Sequence, residues 1–366
     1  GGALGGNIIL GNKTLTIGAN SSANSDYAGA ISGVGEPTGT PSYNSSIVKA
    51  STSTGIQTLS GANTFTGVVT VNGGTLKLGS VSALGTATNA SSDRTIIATG
   101  ATLDLNGYSL NELLYLSGTL TNTNSASVSN YTGQIAVNSA SNITANNGAI
   151  NLGRVVAGAP GISLTLDGSS GGSISGQIGN SGSSQPTLTK NGTGTWSFDG
   201  ANNYFTGIQN INQGTLKIGS ANTNFIDTVS NPIVIGTGAV LEMASSNAVT
   251  ASMAISGAGA ILKSGAGTFS LTNQTNAYSG GTTVASGILK AGVASGGVTA
   301  PYFGSGRVTV MSGAALDVQG NSLSNAITIN GTGFNSGGAL TNSTTGTSNA
   351  TLSGLLTLGS DSNIVN

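Results

Sequence analysis

The sequence predicts an all-β protein built from repeated, stacked coils. Three observations carry that reading: short runs of alternating apolar and polar residues, Gly and Asn between them, and a pattern that returns along the chain. Alternation is clear in Thr14-Leu15-Thr16-Ile17, Val69-Thr70-Val71, Ser163-Leu164-Thr165-Leu166 and Val308-Thr309-Val310. That period of two is the mark of strands with one buried face, and no segment carries a sustained helical stripe. Abundant Gly, Ser, Thr and Asn could suggest disorder. A hydrophobic content of 37% and a mean hydropathy of +0.15 oppose it, because disordered chains combine low hydrophobicity with high net charge.

Composition removes several function classes. The 366 residues include 60 Gly, 10 basic and 11 acidic side chains, with no His and no Cys. Imidazole bases, Ser–His triads, thiolate sites and disulfides are therefore excluded, and no cofactor or metal site is expected. A net charge of −1 gives no electrostatic footprint for nucleic acid. No apolar run is long enough for a spanning helix, so membrane insertion of this segment is not expected. The start lacks the basic and apolar regions of an export signal, which is expected to have been removed or to lie outside the sequence. Absence of Cys fits an exported protein.

The repeat is the strongest signal. Leu59-Ser60-Gly61-Ala62-Asn63-Thr64-Phe65-Thr66-Gly67 precedes Gly74-Thr75-Leu76-Lys77-Leu78-Gly79. The pattern returns as Asp199-Gly200-Ala201-Asn202-Asn203-Tyr204-Phe205-Thr206-Gly207 before Gly214-Thr215-Leu216-Lys217-Ile218-Gly219, and as Asn276-Ala277-Tyr278-Ser279-Gly280 before Gly287-Ile288-Leu289-Lys290-Ala291-Gly292. Upstream of the last two stand Leu188-Thr189-Lys190-Asn191-Gly192 and Ile261-Leu262-Lys263-Ser264-Gly265, with a degenerate version at Ile47-Val48-Lys49. Downstream come Gly100-Ala101-Thr102-Leu103-Asp104, Gly238-Ala239-Val240-Leu241-Glu242 and Gly313-Ala314-Ala315-Leu316-Asp317. The expected organisation is a single elongated solenoid over 1–366, with repeat cores at about 47–107, 186–245 and 260–320 and loops at 20–46 and 294–306.

Charged residues follow the repeat. The sets Lys49, Lys77, Asp104; Lys190, Lys217, Glu242; and Lys263, Lys290, Asp317 are spaced by 25–28 residues, which suits one coil of a parallel β-helix. Coils stack at about 4.8 Å, so equivalent residues form ladders. The expectation is a column on one outer face, with each acid near the second lysine. Such a column is a solvated ladder that relieves like-charge stacking; the alternative is a row of ligand-binding lysines. Phe65, Phe205 and Tyr278 share one position and are expected to stack, against the alternative of an outward carbohydrate-binding strip. Asn63, Asn203 and Asn276 are read as turn residues tolerant of left-handed backbone. Gly67, Gly74, Gly207, Gly214, Gly280 and Gly287 are read as corners with positive φ. Tyr27 and Tyr43 in the first loop, and Tyr302 and Phe303 in the second, are the candidate binding residues, since loops on rigid scaffolds often carry recognition.

These motifs resemble the passenger-associated transport repeat of bacterial autotransporters, whose pattern is a Leu-x-Lys-x-Gly-x-Gly-Thr strand, a Leu-Ser-Gly-x-Asn-Thr-Tyr-Thr-Gly turn and a Gly-Thr-Leu strand. Residues 186–219 and 260–292 match nearly throughout, and 57–79 from the Leu onward. The resemblance implies a right-handed parallel β-helix, export to the bacterial surface and an extracellular location. A membrane barrel that ends such proteins is not seen; the chain is expected to be a segment of a longer protein, or a unit that stacks on copies of itself.

The function expected from these readings is non-enzymatic: a structural or adhesive surface solenoid, as a fibre or surface-layer component associating with itself laterally or end to end. The alternative is an adhesin passenger that binds glycans or a host surface. A polysaccharide-degrading β-helix is the third reading, and it needs clustered carboxylates. No such cluster is evident in sequence, and Asp167 and Asp199, about one coil apart, are its best candidates. No catalytic residue is expected.

Overall fold

The structure, a computed structural model, describes residues 5–33, 45–86, 92–180, 185–200, 203–219, 231–292, 300–344 and 349–366. Its contacts divide the chain into two units, Gly1–Pro186 and Thr187–Asn366. Among the described residues every strand pairing is parallel, and the only helical turn is a short 3-10 segment at Phe334–Ser336. Both units are parallel β-solenoids.

In the first unit one sheet stacks Thr14–Ile17, Ser46–Lys49, Val69–Val71, Thr95–Ile97, Leu114–Leu116, Ile135–Val137 and Val155–Ala157. A second runs from Ser25–Tyr27 through Ile56–Leu59, Thr75–Leu78, Thr102–Asp104, Thr119–Thr121 and Ser141–Thr144 to Ser163–Asp167. A third adds Ser129–Tyr131, Ile150–Leu152 and Gly172–Ile174. The alternation decides what faces inward. Leu76, Leu103, Leu120, Ile143 and Leu166 lie in register and are fully buried, each contributing about 1.5–3 kcal/mol of apolar burial.

The second unit repeats the plan. Thr187–Lys190, Gln209–Ile211, Ile233–Ile235, Ile255–Gly257 and Ala277–Tyr278 form one sheet. Thr195–Phe198, Thr215–Ile218, Val240–Met243, Ala260–Lys263, Thr282–Val284, Val308–Val310, Ile327–Gly331 and Leu356–Ser362 form another. Val249–Ala251, Thr268–Leu271, Gly287–Ala291, Ala314–Asp317, Leu340–Thr341 and Ile364–Val365 form the last. Phe269, Leu289, Leu316 and Leu340 stack inside it.

Coil length varies: the steps from Lys77 to Asp104, Lys217 to Glu242 and Lys290 to Asp317 keep the expected spacing, whereas others are shorter. Ile47 pairs with Val69, Leu114 with Ile135 and Ile135 with Val155, which are steps of 22, 21 and 20 residues. The spacing of 25–28 therefore fuses two things: one coil, and a step from one sheet to another. Lys49 lies in a different sheet from Lys77, whereas Lys77 and Asp104 are true register partners. Much of the expected first loop is also ordered stacking, because Ser25–Tyr27 pairs with Ile56–Leu59 and Ile31–Ser32 pairs with Ile8–Ile9.

Candidate functional site

The recurrent side chains meet at the corners of the coils, and the lysines there fall into two kinds. Lys49, Lys190 and Lys263 are buried, with exposures of 0%, 0% and 1%. The expected solvated column is therefore corrected for these three. Lys49 Nζ donates to Ser53 Oγ at 2.6 Å and to the Gly73 carbonyl at 2.8 Å. Lys190 Nζ donates to the carbonyls of Asn191, Gly192 and Gln213 at 2.5, 2.7 and 3.0 Å. Lys263 Nζ donates to the Gly265 carbonyl and, at 3.1 Å, to that of Ser286. Each ammonium thus bonds the carbonyl just before a glycine on the next coil: Gly74, Gly214 or Gly287, with φ of 58°, 62° and 68°. Carbonyl dipoles replace the lost water, and an unpaired buried ammonium would be far more costly. Burial nevertheless lowers the pKa of Lys49 and pushes that of Lys263 down to about 8.

These glycines have two reasons to lack a side chain. Their φ is positive, and a Cβ on Gly74 would lie 2.7 Å from Lys49 Nζ, while one on Gly287 would lie 2.5 Å from the Gly265 carbonyl. The lysine, its turn and the following glycine are one coil-to-coil clasp. Gly207 also has positive φ, but Gly67 and Gly280 do not; a Cβ on Gly280 would instead strike Gly259 backbone at 2.4 Å.

Strand parity distinguishes the two kinds of lysine. Lys49 shares the face of Ile47, Lys190 that of Leu188, and Lys263 that of Ile261. Lys77 and Lys217 share the outward face of Thr75 and Thr215. Lys77 lies 3.5 Å from Asp104 and Lys217 4.0 Å from Glu242, so each acid does sit near the second lysine. Partly exposed pairs of this kind are worth about 0–1 kcal/mol. Lys290 lies opposite Asp317 in register.

Both aspartates also organise turns. Asp104 accepts the Asn106 and Thr123 N–H groups at 2.9 and 3.1 Å and the Thr123 hydroxyl at 2.6 Å. Asp317 accepts the Gln319 and Ser343 N–H groups at 3.2 and 3.1 Å and the Ser343 hydroxyl at 2.5 Å. Asn122 and Asn342 complete equivalent turns by accepting the Gly107 and Gly320 N–H groups.

The aromatic and Asn positions are internal as well. Phe65, Phe205 and Tyr278 are buried, which corrects the alternative of an outward strip. Phe205 stacks on Phe198, with ring centroids 5.7 Å apart, rather than on its own repeat equivalents. Asn63 and Asn276 have no positive φ, and these two and Asn203 are buried. Asn63 accepts the Ile31 N–H at 2.9 Å and donates to the Ala83 carbonyl at 2.8 Å. Asn276 accepts the Ile255 N–H at 2.9 Å and donates to the Tyr302 carbonyl at 2.8 Å. Both tie a coil to its neighbours, whereas Asn203 bonds the Gly200 carbonyl. Asn276→Ala is expected to destabilise the second unit by about 1–3 kcal/mol, since two buried groups lose their partner. A urea midpoint equal to that of the parent would contradict this.

The candidate binding residues are not a displayed cluster. Tyr302 and Phe303 are buried, at 1% and 0% exposure, and the Tyr302 hydroxyl donates to Asn321 Oδ1 at 3.3 Å. This corrects the reading of that pair as a protruding loop: the segment folds its rings into the core. Tyr27 is half-buried, with its hydroxyl donating to the Gly6 carbonyl. Tyr43 lies outside the described residues.

One polar cluster was not foreseen. Glu112 is fully buried in the first unit near Asp93, Thr95 and Tyr131, and accepts a long 3.4 Å hydrogen bond from the Tyr131 hydroxyl. Burial, helped by the charge of Asp93, raises its carboxyl pKa to about 8 against the pull of Thr95 and Tyr131, and the Tyr131 phenol is raised as well. Glu112 belongs to no repeat, so no sequence signal points to it. Asp167 accepts the Gly168 N–H at 2.6 Å, and Asp199 accepts the Ser197 hydroxyl at 2.6 Å. Among the described residues no three His, Cys, Asp or Glu side chains gather as a metal site. None of their helices is long and apolar enough to cross a membrane.

The comparisons with known proteins agree with this architecture. The family model of the passenger-associated-transport-repeat matches residues 52–78, 188–218 and 261–291. Lys190 and Lys263 fall inside those matches, as do the glycines that follow each clasp, and Lys49 lies just ahead of the first. The chain thus carries three copies of the passenger-associated-transport-repeat, which supports reading it as autotransporter passenger sequence. Among curated proteins it is similar to the Adhesin BmaC autotransporter of Brucella suis biovar 1 (strain 1330), with 43% identity over 68 residues. That stretch is 19% of this chain and 2% of the relative. No solved structure matches significantly.

Proposed function

We propose that this passenger solenoid is a non-enzymatic, extracellular structural and adhesive component of the bacterial surface, and that copies associate with one another. The observation that carries the reading is where the recurrent chemistry is used. Buried lysines, turn aspartates and buried asparagines all bond backbone of their own or neighbouring coils. A repeat whose polar side chains serve coil stacking builds a scaffold, and a scaffold presents surface. The similarity to a protein named as an adhesin supports the adhesive part of the reading. Glycans or a host surface are the alternative partners.

Beads coated with the purified chain test this. They are expected to adhere to host cells or to glycan-coated surfaces more than beads coated with an unrelated β-protein, and soluble chain is expected to compete. Adhesion no higher than that control, together with cleavage of a polysaccharide panel, would overturn the reading in favour of a degradative enzyme.

A further inference from the structure

The third repeat copy breaks a rule that the first one keeps. Asp104 Oδ2 accepts the Thr123 hydroxyl and stands 3.5 Å from Lys77 Nζ, while Asn106, two residues on, donates its amide to the Leu78 carbonyl at 2.8 Å. At the equivalent corner Gln319 takes the place of Asn106, and the two share positive φ, 49° and 47°. The longer amide bends back: Gln319 Nε2 donates to Asp317 Oδ2 at 2.8 Å, beside the Ser343 hydroxyl at 2.5 Å. It occupies the place that the lysine holds in the first copy. Lys290, in register with Asp317, consequently has neither an ion pair nor a hydrogen bond among the described residues.

A cleft opens beside that lysine. Ala315 and Asp317 face outward, opposite in parity to the core residue Leu316, yet are only 3% and 5% exposed. The turn at Phe334–Ser336 lies over them, and Phe334 lines one cleft of about 310 Å³ together with Ile288, Ala315, Asp317 and Val365. The Gly338 N–H closes this turn by donating to the Thr332 carbonyl at 2.9 Å, and Asn335 and Ser336 within it have φ of 49° and 60°. Holding two adjacent non-glycine residues there costs free energy, a cost that gathers at ligand sites. Ile288 and Lys290 share one face of their strand, so the ammonium stands at the edge of the cleft.

We propose that Lys290 and this cleft bind a small organic carboxylate with an apolar body, an alkyl chain or a single aromatic ring. Ile288, Ala315, Phe334 and Val365 supply the apolar lining, and the volume lies at the small end for ligand pockets, about 300–1,000 Å³. The polar groups of the lining are already used. Asn342 accepts the Gly320 N–H and donates to Asn366 Oδ1 at 2.9 Å, and the Ser343 hydroxyl donates to Asp317. A polyhydroxylated ligand would leave most of its hydroxyls without partners there, which opposes binding. The Asp317 carboxylate accepts two hydrogen bonds from Gln319 and two from Ser343. Its charge is thus held by its own turn, and the ammonium is left to attract an anion.

Titrations followed by ligand-observed NMR test this with hexanoate and phenylacetate, against hexanol and benzyl alcohol as neutral counterparts. The parent chain is expected to bind at least one carboxylate about fivefold tighter than its alcohol, the upper end for a partly exposed ion pair. The tighter of the two carboxylates identifies the body as chain or ring. Lys290→Gln is expected to remove the preference and leave alcohol binding unchanged. Gln319→Asn restores the residue of the first copy and is expected to weaken carboxylate binding too, because Lys290 then pairs with Asp317. Phe334→Ala is expected to weaken carboxylate and alcohol alike; should it fail to fold, Lys290→Gln, at a half-buried outward position, carries the test alone. Lys217→Gln, at the lysine beside Glu242, is expected to bind as the parent does. A parent chain that binds neither carboxylate would overturn the proposal. So would alcohols bound as tightly as carboxylates, or a carboxylate preference that survives Lys290→Gln.

Discussion

Lys190→Met is expected to lower the stability of the second unit by about 3 kcal/mol. The thioether can follow the path of the lysine stem but leaves the carbonyls of Asn191, Gly192 and Gln213 without their shared donor. Hydrogen bonds from a charged group contribute about 1.5–3 kcal/mol each in net terms, and the desolvation of the ammonium offsets part of that sum. The protein has one tryptophan, Trp196, fully buried in the strand that follows this clasp. Its fluorescence reports unfolding of the second unit, and the urea midpoint is the quantity to compare. A midpoint equal to that of the parent chain would mean that the corner holds without its lysine.

Glu112→Gln is expected to stabilise the first unit at pH 8 and to leave it nearly unchanged near pH 4. In the unfolded chain the carboxyl titrates in the ordinary range, about 4.3, whereas in the fold it holds its proton up to about 8. Between those values the unfolded state has released a proton that the folded state keeps. Stability is therefore fully present below the unfolded pKa and declines by about 1.4 kcal/mol per pH unit until the folded carboxyl ionises, a total on the order of 5 kcal/mol. Gln preserves the shape and can still accept the Tyr131 hydroxyl. Hydrogen exchange in Ser129–Tyr131 and Leu114–Leu116, measured at pH 5 and pH 8 and corrected for intrinsic rates, follows this unit directly. The parent chain should lose protection at the higher pH and the variant should not. Equal losses in both proteins would assign the pH dependence to other groups.

What the sequence made legible follows from what alternation and repetition can report. Runs such as Val69-Thr70-Val71 name an inward and an outward face, and the all-β solenoid follows from them. The pairing of Lys77 with Asp104 was also readable, because register partners one coil apart recur at nearly constant spacing. The role of Lys49, Lys190 and Lys263 was encoded but easily misread. A lysine at an inward position looks like an error of phase until its backbone acceptors are seen, and backbone carbonyls leave no trace in composition. The parity of Ile47 with Lys49, and of Leu188 with Lys190, was the available signal. Tyr302 and Phe303 were misplaced for a related reason. Loss of alternation marks an irregular path, but such a path can still turn its rings inward, as Asn276 and Asn321 hold this one. Glu112 occurs once, and a singular burial has no period to reveal it.

The corner clasp is the centre of this account, and amine labelling of the native chain followed by peptide mass spectrometry tests it most directly. Lys13, Lys77, Lys217 and Lys290 are at least partly exposed and should acetylate readily. Lys49, Lys190 and Lys263 should stay unmodified until denaturant is added. Equal labelling of all seven lysines in the folded protein would place the repeat lysines on an outer face and contradict the account.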